Sequence, residues 1–408
     1  MLNFIDGGVC AAQGFRAGGI HMGVKTHAAW KKDVALIVSD VDCACAAVYT
    51  KNAVKAAHIH VDKRHLADGK ARAAVINSGN ANACAPMGEE NAERVCVAAA
   101  KAVGCLPEDI VAASTGVIGQ TLNVAAIEQG MPELYASVTH SPKGSDAAAH
   151  AIMTTDTVKK ELAVETVIGG RTVRMGGIAK GSGMIHPNMG TMLCFLTTDC
   201  AISPEMIRSA LLDTVRVSFN RISVDGDTST NDTCCVMANG LAGNPEITEK
   251  GPDYDAFVEA LKALCVELAR KMASDGEGAT HLITCTVTGA KSEESAEAIA
   301  KSVISSTLTK AAIFGADANW GRVLCAMGYS GEDFDPEKVD VAFQSQAGSV
   351  QVCAQGRGLE FDEDLAKKVL KEHDVTIAVT MGEGDGACTC WGCDLTYEYV
   401  KINGDYRT

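Results

Sequence analysis

The stretch of this 408-residue chain best equipped for chemistry runs Gly-Gly-Ile-Ala-Lys-Gly-Ser-Gly-Met-Ile-His-Pro-Asn-Met-Gly-Thr-Met-Leu-Cys-Phe-Leu, from Gly176 to Leu196. A glycine-rich loop with one lysine, Lys180, leads through Pro187 to Gly190, then Thr191, then a continuous apolar run. Phosphate cradling would need G-x-x-x-x-G-K-[ST], or G-x-G-x-x-G between a strand and a helix, and the segment has neither. Nucleophilic chemistry suits it better. A threonine hydroxyl is a weak nucleophile at neutral pH. If the bond before it is cut, the new α-amine becomes a base on the same residue, with a reference pKa of about 7.7–8.0. Nucleophile and base then share one residue, with their geometry set by the backbone. The cut can be intramolecular: the hydroxyl attacks the preceding carbonyl, an ester forms, and water opens it. Gly190 crowds that carbonyl least. From the residue types alone, a threonine that merely starts a strand stays open as the plainer alternative.

Other chemistry-bearing residues point to less. The 17 cysteines are scattered, many inside apolar runs such as Val95-Cys96-Val97 and Met192-Leu193-Cys194-Phe195, and read as reduced, buried small hydrophobes. Cys388-Thr389-Cys390-Trp391-Gly392-Cys393 lacks a second Cys/His pair at metal-site spacing, so no metal is expected there. His58-Ile59-His60 reads as a surface strand with both imidazoles on one face. Asp225-Gly226-Asp227 lacks the loop order and distal glutamate of a calcium-binding EF-hand. It and the asparagines from Asn77 to Asn82 read as turn residues that hydrogen-bond backbone.

The elements that must position these groups are those of a mixed α and β chain. Val34–Val38 and Ala73–Ile76 are short apolar runs ended by polar or glycine-rich turns, hence buried strands. Leu282–Thr288 and Val375–Thr380 alternate, hence half-buried strands. Ala92, Val95, Cys96, Ala99 and Val103 follow helical spacing over roughly 88–103. Phe257 to Leu268 and Ala296 to Val303 do the same. The weakest joins are the polar stretches near 140–147 and 244–254. With 47% hydrophobic and 21% charged residues the chain can build a sizeable core, which excludes intrinsic disorder. A net charge of −15 and no basic run argue against nucleic acid as a partner. No apolar stretch of membrane-spanning length and no leader segment are evident, so no membrane partner and a cytoplasmic location are expected.

Beyond these readings, the chain resembles the self-cleaving ornithine acetyltransferase family, also called glutamate N-acetyltransferase. That family's G-M-I-x-P-N-M-A-T-M-L run is matched by Gly183-Met184-Ile185-His186-Pro187-Asn188-Met189-Gly190-Thr191-Met192-Leu193. Further matches follow in order: Val75 to Ala83, Ser114 to Gly119, Met153 to Thr157, Val224 to Asp232, Asp275 to Thr280, Trp391 to Thr396 and Ile402 to Thr408. Two positions depart from the pattern. Gly190 stands where alanine is usual, and His281 where lysine is common.

The resemblance implies a layered α/β sandwich of stacked β-sheets flanked by helices, N-terminal-nucleophile-like and self-processing. It also implies a smaller α/β lobe in the C-terminal half. Cleavage between Gly190 and Thr191 would give an α chain, 1–190, and a β chain, 191–408, which share one core and form a dimer of heterodimers. Thr191 would be the nucleophile, and Thr115 and Gly116 the oxyanion hole. Thr154, Lys180, Thr191, Glu277, Asn403 and Thr408 would bind substrate, Lys180 suiting a carboxylate and Glu277 an ammonium. The implied activity is transfer of acetyl from N2-acetylornithine to glutamate through an acetyl-Thr191 ester, releasing ornithine and N-acetylglutamate in arginine biosynthesis. No metal or organic cofactor is implied; acetyl-CoA is a co-substrate of the family's bifunctional type. The competing readings are a self-processed amidohydrolase or aminopeptidase, and a binding protein that never cuts itself. Asn403 and Thr408 lie near a chain end, which is usually frayed, so a tail that binds substrate must be tied down.

Overall fold

The computed structural model describes residues 2–25, 31–186 and 192–405. In chain order its strands are β1 (Asn3–Ile5), β2 (Phe15–Ile20), β3 (Val34–Tyr49), β4 (Lys70–Asn80), β5 (Ile110–Val117), β6 (Lys160–Ile168), β7 (Arg171–Lys180), β8 (Leu193–Thr198), β9 (Ile222–Ser223), β10 (Thr233–Ala238), β11 (Leu282–Ala290), β12 (Asp340–Ser345), β13 (Gly348–Ala354), β14 (Arg357–Gly358), β15 (Asp374–Thr380) and β16 (Gly386–Cys393). The α-helices are α1 (Ala57–His65), α2 (Gly88–Val103), α3 (Val124–Ser137), α4 (Pro142–Ile152), α5 (Pro204–Val217), α6 (Pro252–Ser274), α7 (Glu293–Ser305), α8 (Thr307–Phe314), α9 (Trp320–Gly328), α10 (Glu363–Leu370) and α11 (Tyr397–Gly404).

Two compact units share the chain. Met1–Gly181, Pro187–Asn220 and Thr228–Met272 form the first; Ser182–His186, Arg221–Asp227 and Ala273–Thr408 form the second. Neither polar stretch marked as a weak join is a boundary. The first lies partly in α4, where Gly144 and Ser145 are buried.

The first unit is built on a nine-stranded mixed sheet in the order β1-β6-β7-β8-β10-β3-β4-β5, with β2 also paired to β3. Its centre shows why the sequence reads as it does. Successive strand residues point to opposite faces. Ala35 and Ile37 pack with Ala148, Ala149 and Ile152 of α4 on one face. Val34, Leu36 and Val38 pack with Ala92, Val95, Cys96 and Ala99 of α2 and Ile127, Met131 and Leu134 of α3 on the other. A strand covered on both faces needs an unbroken apolar run. The structure extends β3 well past that run, to Tyr49, through an irregularity in its pairing with β4 between Val38 and Cys43. Helix α2 matches its predicted span. Glu89 and Glu90 lie in its first turn and Lys101 in its last, as the helix dipole favours. Gly104, at φ +84°, ends it in a left-handed cap whose N–H reaches the Ala100 carbonyl at 2.8 Å.

The second unit carries a seven-stranded mixed sheet in the order β14-β13-β12-β15-β11-β16-β9. Ile283, Cys285 and Val287 of β11 face a core shared with Ala296, Ile299, Ala300 and Val303 of α7. The alternation in the sequence therefore marks the correct face. Both units are α/β, as expected, and the smaller lies mostly in the C-terminal half.

One local reading is corrected. His58-Ile59-His60 lies in α1, not in a strand. Positions two apart on a helix do not share a face. His58 is buried, with Nε2 3.2 Å from Thr233 Oγ1, whereas His60 is exposed. A three-residue His-x-His pattern is too short to tell period 2 from period 3.6.

Candidate active site

Strands β4 and β5 run parallel and end side by side. Ser78 lies opposite Thr115 and Gly79 opposite Gly116, and the register breaks at Asn80. The two glycines make this approach attainable. Gly79 has φ +100° and Gly116 has φ +132°. A Cβ on Gly116 would lie 2.4 Å from the Gly79 carbonyl carbon and 2.6 Å from the Asn80 nitrogen. Asparagines brace the turn, as their composition suggests. Asn77 Oδ1 accepts from Ser114 Oγ at 2.7 Å, and Asn77 Nδ2 donates to the Asn80 carbonyl at 2.9 Å. Asn231 Nδ2 donates to the carbonyls of Ala81 and Ser114 at 2.6 and 2.7 Å.

Thr115 sits in this turn, buried, and Lys180 meets it from the last position of β7. Lys180 Nζ donates to Thr115 Oγ1 at 3.3 Å, and Lys180 is only 8% exposed. A hydroxyl that accepts from an ammonium keeps its own proton to donate elsewhere. The contact thus leaves Thr115 as a donor beside the backbone of Gly116.

A buried charge network lies beneath. Asp156 Oδ1 accepts from Lys160 Nζ at 2.5 Å and from the Gly181 N–H at 2.8 Å. Its Oδ2 accepts from the Thr154 N–H at 3.0 Å. Burial alone would raise the Asp156 pKa. The nearby Lys160 and Lys180 ammonium groups and the hydrogen bonds outweigh it and hold the carboxyl well below the usual carboxylate range. Lys25 Nζ donates to the Met153 carbonyl at 2.8 Å and the Lys32 carbonyl at 3.0 Å. Burial lowers the Lys25 pKa to about 8, against the pull of Asp33.

Gly190 and Thr191, the predicted cleavage pair, lie outside the described residues. The described chain resumes at Met192, which is buried and whose carbonyl accepts from the Thr233 N–H at 2.9 Å. All six residues of β8, which follows, are buried. Leu193 pairs with Lys180 on one side and Thr233 on the other. Asp232, fully buried, has its pKa raised well above the carboxylate range by burial, with the Thr50 and Ser229 hydroxyls, Lys180 and the Met192 amide opposing.

In the second unit, Glu277 is 6% exposed and its N–H donates to the Ser182 carbonyl at 2.8 Å. Gly183 leaves room for it: a Cβ there would lie 2.3 Å from Glu277 Oε2. Asn403 Nδ2 donates to Glu277 Oε2 at 2.8 Å. The helix bearing Asn403, α11, is tied down. Thr396 accepts from the Glu398 N–H as N-cap and donates to the Gly278 carbonyl at 2.6 Å. Tyr399 Oη donates to Asp225 Oδ2 at 3.3 Å. Thr408 lies outside the described residues. His281, the second departure from the family pattern, has Nδ1 2.8 Å from Asp394 Oδ2 and donates its N–H to Asp394 Oδ1 at 3.0 Å.

Among the sequence-predicted residues, the first unit therefore brings Thr115, Gly116 and Lys180 together, with the Thr154 backbone on the network beneath. The second unit joins Glu277 to Asn403. Sequence reading assigned no role to Asp156, Lys160, Lys25 or Asp232. Asp156 and Asp232 each fall inside a quoted family motif, which is the signal available for them. Lys160, next to Lys159 and Glu161, looks like part of a solvated charge run. Among the described residues, no group of three or more His, Cys, Asp and Glu side chains could hold a metal ion. No described helix is long and apolar enough to cross a membrane.

This layered α/β chain, with its threonine-glycine turn and buried lysine, matches the family model of the ArgJ family over residues 16–408. The chain belongs to that family. It is 49% identical to the arginine biosynthesis bifunctional protein ArgJ of Symbiobacterium thermophilum, covering 100% of both chains. Among solved structures, it is similar to the protein of the same name from Bacillus halodurans, with 46% identity over 52% of this chain and 97% of that one, TM-score 0.49. It is also similar to an ornithine acetyltransferase from Mycobacterium tuberculosis, solved with ornithine. There the identity is 35% over 46% of this chain and 100% of that one, TM-score 0.43.

Proposed function

We propose that this protein is a self-processing acetyltransferase of arginine biosynthesis, which moves the acetyl group of N2-acetylornithine to glutamate. The observation that carries this reading is 49% identity, over the full length of both chains, to a protein named for arginine biosynthesis. The Lys180–Thr115 contact beside Gly116 supports the chemistry.

The reaction has two halves. Cleavage before Thr191 frees its α-amine. Thr191 Oγ attacks the acetyl carbonyl of N2-acetylornithine while that amine takes the hydroxyl proton. The Thr115 hydroxyl and the Gly116 N–H stabilise the tetrahedral oxyanion. Collapse breaks the acetyl C–N bond, the proton passes to the leaving nitrogen, and ornithine departs. Glutamate then attacks the acetyl ester through its own α-amine, which restores the Thr191 hydroxyl and gives N-acetylglutamate. Lys180 supplies a cation for the substrate carboxylate, and Glu277, held by Asn403, an anion for the substrate ammonium. Thr154 and Thr408 complete the binding set. No metal or organic cofactor enters this scheme. The cleaved chains, 1–190 and 191–408, form a heterodimer, and two heterodimers pair.

The test is acceptor dependence. Purified protein given N2-acetylornithine should form ornithine and N-acetylglutamate only when glutamate is present. Free acetate released at equal rates with and without glutamate would make the protein a hydrolase instead. Acetyl-CoA with glutamate, in the absence of acetylornithine, tests the bifunctional activity that relatives carry in their name. Mass spectrometry of the purified protein locates the cut.

A further inference from the structure

We propose that Asp156 is a positioning residue for acetyl transfer: with Lys160 it fixes the end of β7, and so aims Lys180 and the Thr115 hydroxyl. This role rests on the acetyltransferase reading above.

The ion pair is wired to backbone rather than simply packed in the core. Lys160 and Asp156 side chains are both 0% exposed, with Nζ and Oδ1 2.5 Å apart. Asp156 Oδ1 accepts from the Gly181 N–H at 2.8 Å, and Lys160 Nζ donates to the Gly181 carbonyl at 3.2 Å. One ion pair thus holds both polar groups of a single residue. That residue follows Lys180, where the β7–β8 ladder ends at the Lys180–Leu193 pair. The ion pair takes over where the ladder stops. The backbone on either side of Lys180 is thereby fixed, by β8 before it and by the charges after it. From that fixed base Lys180 Nζ reaches Thr115 Oγ1 at 3.3 Å.

The other carboxylate oxygen reaches the opposite wall of the network. Asp156 Oδ2 accepts from the Thr154 N–H at 3.0 Å, and Lys25 Nζ holds the neighbouring Met153 carbonyl at 2.8 Å. The carboxylate therefore joins two predicted substrate positions, Thr154 and Lys180, that lie 26 residues apart in sequence.

Stability alone does not account for the pair. Desolvating two charges costs several kcal/mol per ion, and an apolar pair of similar volume often serves a fold as well or better. What an apolar pair cannot do is hold the N–H and carbonyl of Gly181. Electrostatics point the same way. The Asp156 charge acts on Lys180 as well as on Lys160, so the same carboxylate sets the field at the lysine whose backbone it anchors.

The test uses the full-length processed protein. Asp156→Asn alone would take the carboxylate away from the buried Lys160 ammonium and can fail to fold. The decisive variant is therefore Asp156→Val with Lys160→Met, an apolar pair that removes both charges and both side-chain partners of Gly181. Its melting temperature should stay near that of the parent, while kcat/KM for N2-acetylornithine falls roughly 100-fold, as for loss of one aligned oxyanion donor. A double-mutant cycle supplies the readout that a merely structural role would not move. Adding the pair of substitutions to Lys180→Met should lower kcat/KM by less than threefold further, because both act through the same side chain. A crystal structure of the variant should show the Lys180–Thr115 hydrogen bond lost. Unchanged kinetics in a folded variant, or fully multiplicative losses with Lys180→Met, would overturn the proposal. If the parent itself transfers no acetyl to glutamate, the functional reading fails separately. The crystal structure still decides whether Asp156 sets Lys180, and an intact Lys180–Thr115 bond there overturns it.

Discussion

Thr191 and Thr115 are both threonines, yet the proposed chemistry asks different things of them, and mutation separates the two. Thr191 must supply an oxygen nucleophile twice, in cutting the chain and in carrying acetyl. Thr191→Ala should therefore give one uncut chain of 42.5 kDa with no acetyl transfer, whereas Thr191→Ser, which keeps a hydroxyl, should still be cut. A denaturing gel reads both. In the proposed chemistry Thr115 acts only while negative charge develops on the substrate oxygen. Its side chain accepts from Lys180, which leaves its proton to be donated to that oxygen. Thr115→Ala should lower kcat by roughly 100-fold, on the scale of about 2.7–4 kcal/mol for one oxyanion donor, with a smaller change in KM. Steady-state kinetics check this, and a large rise in KM at unchanged kcat would argue against the oxyanion role.

Among the elements, α1 shows how a buried titratable group ties local packing to pH. His58 lies on the inner face of α1, and burial lowers its pKa from 6.5 to about 3. The native state therefore keeps the imidazole neutral while the unfolded chain takes up a proton below pH 6.5. Stability from this group is full above pH 6.5 and is lost as pH falls toward 3, by up to about 1.4 kcal/mol per pH unit. His58→Gln should flatten that slope in denaturant titrations between pH 7 and 4, and an unchanged slope would assign the acid sensitivity to other groups. The same helix marks the limit of sequence reading. Long periodic segments are legible: α2 and the inward face of β11 follow from residue spacing because burial imposes the period. The apolar start of β3 is legible for the same reason, whereas its continuation to Tyr49 depends on pairing with β10, which no local pattern records. The site divides likewise. Thr115, Gly116, Lys180 and Glu277 stand in recognisable motifs. Of the partners that hold them, Asp156 and Asn403 fall inside family motifs, but Lys160 in a Lys-Lys-Glu run looks solvated until the fold buries it.

At the scale of the whole molecule, cutting a peptide bond between Gly190 and Thr191 would ordinarily release two pieces, and the sheet of the first unit argues that it does not. Residues before the proposed cut supply β1 to β7, and residues after it supply β8 and β10. The two sets alternate across the sheet: β8 lies between β7 and β10, and β10 lies between β8 and β3. Six register pairs join β7 to β8 and six more join β10 to β3, so both seams are pre-cut strand against post-cut strand. Apolar packing crosses the same divide. Phe195 and Met237 share a core with Ile37, Ile76 and Ile178. Separating the chains would expose that core and leave a row of backbone N–H and C=O groups without ladder partners, at several kcal/mol for the buried groups together. The two fragments, 1–190 and 191–408, should therefore co-elute in size-exclusion chromatography under native conditions and separate only in denaturant. The first-unit sheet should melt in one transition, because neither fragment holds all of it. Elution of free 1–190 fragment from active, native protein would show that the seams do not hold the chains together.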